Sequence, residues 1–223
     1  MENLYKQALA VFILIFISGC ASYGPKDNKL SVILSGTQQA VTNLAEKITI
    51  TEDQDLIAKY YNLEKKYEEL FPVLIKCNEK YALTTTYMST LEEAQKSLQR
   101  LYKNFDDITD KSYMLESIYL DYDAKLQSIN SSAKSDANTT IKVTINSSED
   151  EGFFVFGKLS YEQNLNIKRF RFNKPTQNAS QDFVPGYYLF WLEKEDRVGE
   201  PELHLIMSNG KEEEKQLVLK TPK

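Results

Sequence analysis

Few side chains in this 223-residue chain are equipped for chemistry, since His204 is its one histidine and Cys20 and Cys77 are its two cysteines. A hydrolytic site needs a nucleophile with a base, a carboxylate pair or a set of metal ligands. One histidine rules out a histidine-rich zinc site and leaves a single candidate base. His204 alternates with Leu203 and Leu205, a pattern that predicts a strand on which the imidazole points outward. Cys77 sits in a helical pattern in a different part of the chain, so a thiol–imidazole pair would need those two parts to dock. The acidic groups at Asp106, Asp107 and Asp110, at residues 148–151 and at residues 212–214 lack the spacing of a calcium loop and read as solvated turns or helix ends. In Lys168-Arg169-Phe170-Arg171-Phe172, strand periodicity puts Arg169 and Arg171 on one face and the phenylalanines on the other. With Tyr187 and Tyr188, these arginines make a candidate patch for an anion, a glycan or a protein partner. Cys20 differs from all of these because it closes an unbroken run of apolar and small side chains at residues 8–18, behind a short head carrying Lys6. That layout is an export signal, too short for the roughly 20 apolar residues of a membrane span.

The residues that end the run, Ile17-Ser18-Gly19-Cys20, resemble the lipobox of bacterial lipoprotein precursors: an aliphatic residue, two small residues and a cysteine. The resemblance implies that the Cys20 thiol receives a diacylglyceryl group, that a peptidase cuts between Gly19 and Cys20, and that the new amino group is then acylated, by palmitate or a similar chain. Two or three chains on one cysteine hold where one holds only marginally, because each buried methylene contributes about 0.8 kcal/mol. Ala21 stands where the best-known sorting systems place an aspartate for inner-membrane retention, which implies the outer membrane of a bacterial envelope, facing periplasm or exterior. Apart from this covalent lipid, no cofactor is expected.

Twenty-seven basic residues against thirty-two acidic ones give a net charge of -5 and argue against nucleic acid, which is bound through clustered lysine and arginine. A hydrophobic content of 42% with fourteen tyrosines places the chain among globular proteins. With Cys20 taken by lipid, Cys77 has no partner for an intrachain disulfide; it is either a small buried hydrophobe on a helix seam or a link between two chains.

The surrounding pattern divides into residues 1–19 as signal peptide, 20–29 as a flexible Gly-Pro tether, 30–130 as a helical domain, 131–138 as a polar linker and 139–223 as a β domain. Leu30, Leu34, Thr37, Val41, Leu44 and Ile48 form one helical face, and Thr51 with Gln54 suggests a capping box for a second helix. From Tyr60 to Ile129 apolar residues recur in three- and four-residue steps with one irregular step at Ala94. Pro72 predicts a kink or boundary, the threonines at 84–86 a weak stretch, and Ser89 and Thr109 fresh N-caps. A bundle or coiled-coil hairpin of three or four helices fits this better than a rod, although the rod stays open.

Beyond residue 139 the period becomes two, with six β-rich runs. Pro185-Gly186 opens YYLFWLEK, apolar on both faces and the expected central strand, and Asn209-Gly210 predicts a hairpin joining the last two strands. The segment FVPGYYLFW loosely resembles the start of a late strand in transthyretin-like and carboxypeptidase-regulatory-like β-sandwiches. The expectation is thus an α+β protein, a helical domain followed by an antiparallel Ig-like or transthyretin-like sandwich. For function it is a non-enzymatic lipoprotein that scaffolds or binds a protein partner in the envelope, with self-association through the helices. A ligand- or glycan-binding lipoprotein is the alternative, and an envelope hydrolase the third option.

Overall fold

The computed structural model describes residues 28–132, 137–162, 168–208 and 214–222. The chain is α+β: among the described residues four helices, α1 (Asn28–Ile48), α2 (Gln54–Lys80), α3 (Thr85–Lys103) and α4 (Lys111–Ser131), precede eight strands. Signal peptide, lipobox, Ala21 and most of the tether lie outside the described residues, as does the Asn209-Gly210 turn. Among the described residues no helix is long and apolar enough to cross a membrane.

The helices fold onto one another around a single core. The seam read from the sequence supplies it: Tyr60, Leu63, Leu70, Leu74, Cys77, Met88, Leu91, Leu98, Leu101, Leu115, Tyr122 and Ile129 are all buried. Cys77 is thus enclosed within the chain. Alternate rather than successive helices make the principal contacts, α1 with α3 and α2 with α4. Local signals place some boundaries differently from expectation. Helix α2 continues past Pro72 without a boundary, because Leu70, Phe71 and Leu74 around it are buried and the packing outweighs the lost backbone donor. Its N-cap is Asp53, which accepts from the Leu56 amide at 3.0 Å, while Thr51 instead donates to the Ile48 carbonyl. Thr84 caps α3 by accepting from the Tyr87 amide, so Ser89 falls inside the helix and not at its start.

Strands β1 (Ile141–Ser147), β4 (Ala179–Phe183) and β8 (Glu214–Leu219) form one sheet in the order β4-β1-β8. Strands β2 (Phe154–Leu159), β3 (Phe170–Arg171), β5 (Gly186–Lys194), β6 (Arg197–Val198) and β7 (Glu202–Ile206) form the other, with β5 paired to β2, β6 and β7. Strand β5 is therefore central, as its two-sided apolar pattern predicts. Ile141, Val143 and Ile145 from one sheet share a core with Val155, Tyr188, Phe190 and Ile206 from the other. Two strand expectations are corrected. The sheets are mostly but not wholly antiparallel, since β8 runs parallel to β1, pairing Lys142 with Glu214 and Ser147 with Leu219. No hairpin joins β7 and β8 either, because β7 pairs with β5 in the other sheet; its end is held by α4, the Ser208 amide donating to Ser128 Oγ at 2.9 Å. Turn chemistry decides a hairpin only when both flanking strands find each other, and here each finds a better-buried neighbour.

Candidate functional site

Helix α4 positions everything else. Eleven of its side chains are buried, from Met114 to Ile129, because it packs on α2 and also on β5 and β7, leaving a stripe with Glu116 and Gln127 exposed. Two of the eleven are charged. Asp121 and Lys125, one turn apart, pair at 2.7 Å with both side chains fully buried. Lys125 Nζ also donates to the Pro185 carbonyl at 3.0 Å, and the Tyr187 amide points at Asp121 Oδ1 at 3.4 Å. The helix therefore grips the start of β5 by its main chain. A Cβ on residue 186 would come within 2.6 Å of Asp121 Oδ1, so glycine is what lets strand and carboxylate approach. Burial pushes the Asp121 pKa up and that of Lys125 down, and the charge of each opposes that pull on the other. Tyr87, Tyr122, Tyr161 and Tyr188 surround the pair, and burial beside Asp121 raises all four phenol pKa values, keeping the hydroxyls neutral. With no solvent contact, the Asp121–Lys125 pair sets geometry and does not meet substrate.

Further bonds lock helices to sheets around it. Tyr161 Oη donates to the Thr90 carbonyl at 3.0 Å, Tyr113 Oη to the Ser160 carbonyl at 3.1 Å, and Arg100 pairs with Glu162 at 3.1 Å. Asn138 bridges the turn between α2 and α3, accepting from the Thr84 amide and donating to the Ala82 carbonyl.

Where α3 leans over the open side of the strands, this docking leaves a groove of about 480 Å³. One wall is a single face of α3, with Thr86, Ser89, Thr90 and Glu93 at helical spacing, and the other is Gln181, Asp182, Phe183 and Val184 at the end of β4. Its floor is aromatic: Phe183 lies 5.4 Å from Phe170 and 5.1 Å from Tyr188, centroid to centroid. A Glu93–Lys168 ion pair closes one end. Apolar floor, hydroxyl-bearing wall and charged end together are the features of a binding site.

The structure separates the residues that the sequence groups into a patch. Arg169 stacks over Phe156 at 4.5 Å and pairs with Glu193 at 2.7 Å, and Arg171 stacks over Phe154 at 4.7 Å. Both arginines cover the aromatic outer face of the five-stranded sheet. Trp191 is packed there too, stacked on Phe156 with its Nε1 donating to Glu193. Tyr187 shares the outer face of β5 but lies at its far end beside Tyr113 and Glu116. Tyr188 faces the core and donates to the Val184 carbonyl at 2.8 Å, so strand alternation keeps it from joining the arginines. Gly19 and Cys20 lie outside the described residues. His204 does not point outward as expected: it sits opposite Tyr188 on the core side, 5.9 Å from the Phe190 ring, while Leu203 is the exposed neighbour. Its Nε2 is 3.8 Å from Glu202 Oε2, too long for a hydrogen bond. Sequence reasoning missed β4 and with it the groove, because ASQDF lacks β-branched residues; the one signal was the spacing of Ala179 and Phe183, which bury on the same face.

No family model matches the chain, and neither a curated protein nor a solved structure shows significant similarity to it.

Proposed function

We propose that this chain is a lipid-anchored bacterial envelope lipoprotein whose folded part has a scaffolding or protein-interaction role and no catalytic one. The observation that carries it is Ile17-Ser18-Gly19-Cys20 at the end of the apolar run at residues 8–18. Processed there, the chain is held by lipid on Cys20 at the outer membrane, and residues 21–27 connect it to α1. Those seven residues span at most about 25 Å fully extended, so the N-terminal end of α1 stays near the headgroups. The coiled-coil-like seam serves as the core of a spacer, and the β strands form an Ig-like, transthyretin-like sandwich that presents the binding surface. Support for the sandwich is the core shared by Ile141, Val143 and Ile145 with Phe190 and Leu192; the parallel β1–β8 pair departs from the usual pattern. Docking between helices and strands supports a single rigid body carried by the anchor.

The test is Cys20→Ala in cells fed a clickable palmitate analogue. The expected result is loss of label, accumulation of unprocessed precursor and loss of the processed outer-membrane form. Label that survives the substitution overturns the anchor.

A further inference from the structure

We propose that the groove between α3 and β4 receives an extended peptide segment of a partner protein, added to β4 as a further strand. Among the described residues strand β4 stands at the end of its sheet, with β1 as its ladder partner, and its other side turns to the groove. Gln181, Asp182, Phe183 and Val184 line the groove consecutively. Side chains of a strand alternate between faces, so three successive strand residues, Gln181 to Phe183, line one cavity only where the edge of the main chain itself forms the wall. An edge of this kind offers unpaired amides and carbonyls, the template for strand addition.

The rest of the groove selects the same occupant. An added strand lies about 4.8 Å from β4 and turns every second side chain toward the sheet interior, where the rings of Phe170, Phe183 and Tyr188 form the floor. Its other side chains meet the exposed Thr86 and Ser89 on α3. An acyl chain fits the floor but leaves the β4 edge and these hydroxyls stripped of water with nothing in exchange. A second copy of this chain brings its own α3 against its own β4, so symmetric edge pairing forces two helices into one space. The partner is therefore an extended segment with apolar residues at alternate positions.

This inference rests on the interaction role proposed above and not on the anchor. The test uses the full chain purified in detergent and a phage-displayed library of random heptapeptides, depleted on the Ser89→Trp variant, whose indole fills the groove from an exposed helical position. Enriched peptides are expected to alternate apolar and polar residues, to lose binding to Ser89→Trp while its melting temperature stays unchanged, and to bind about tenfold more weakly once alternate amides are N-methylated, as loss of two or more backbone hydrogen bonds requires. Failure to enrich any peptide, binding indifferent to Ser89→Trp, or binding indifferent to N-methylation overturns the proposal. So does saturable binding of palmitate that competes with the peptides, or a dimer in sedimentation that Ser89→Trp dissolves. Because the assay needs no membrane, a failed groove leaves the Cys20 result standing, and a failed anchor leaves peptide binding readable.

Discussion

Two ion pairs in this protein have the same length and opposite meaning. Lys125 meets Asp121 at 2.7 Å and Arg169 meets Glu193 at 2.7 Å, but the first pair is fully buried whereas the second leaves 38% of the arginine and 20% of the glutamate side chain accessible. Coulomb attraction at a given distance scales inversely with the local dielectric, so burial amplifies both the attraction and the cost of breaking it. The inner pair joins a helix to a central strand, and its loss strands a charge where water cannot reach. The outer pair, with its arginine flat on Phe156, shields an aromatic face and can exchange its partner for water at little cost. Distance alone therefore says nothing about which pair holds the fold.

The largest effect should come from Lys125→Met, which leaves Asp121 uncompensated and is expected to cost about 3–5 kcal/mol in urea unfolding. Adding Asp121→Asn should recover part of that loss; a single-variant loss under about 1 kcal/mol would put the buried pair in the same class as a surface one. His204 is the intermediate case. Burial holds its pKa below the usual 6.5, against the pull of Glu202 and with the push of Lys215. The folded state then binds a proton less readily than the unfolded chain, so His204 contributes stability that is present above pH 6.5 and is lost as pH falls through the folded value. The melting temperature of the protein should thus drop between pH 7 and pH 5, and His204→Gln should flatten part of that slope; an unchanged slope breaks the ordering by burial. Arg169→Ala should have the smallest effect, about 1 kcal/mol or less and weaker in high salt. A salt-independent loss of more than about 2 kcal/mol would show that the outer arginines bear on the fold as the inner lysine does.

How far the sequence could be read follows from the same contrast. Most of the helical seam from Tyr60 to Ile129 was legible, because burial repeats at the period of the helix; Tyr81 and Thr84, at the turn between α2 and α3, are exposed instead. Ile141, Val143 and Ile145 were legible for the same reason at period two, as was β5 through its two-sided apolar run. Asp121 and Lys125 were not, since a carboxylate one turn before a lysine has the pattern of a solvated helix face. Strand β4 was hidden by its composition and β6 by its brevity. Of the proposed patch, the facing of Arg169 and Arg171 was legible and their aromatic partners Phe156 and Phe154 were not, because those lie on another strand.

The sequence by itself thus determined most of which residues form helices and which strand stands at the centre of its sheet, both of which depend on neighbours within a few positions. Tertiary structure alone decided that β8 runs parallel to β1, that α4 packs on both a helix and a sheet, that a fully buried ion pair sits against Gly186, and that β4 and α3 line one groove. Periodicity records whether a residue is buried, and it records this locally. What a residue is buried against depends on segments far away in the chain, and that is what gives one 2.7 Å ion pair its hold on the fold and leaves the other at the surface.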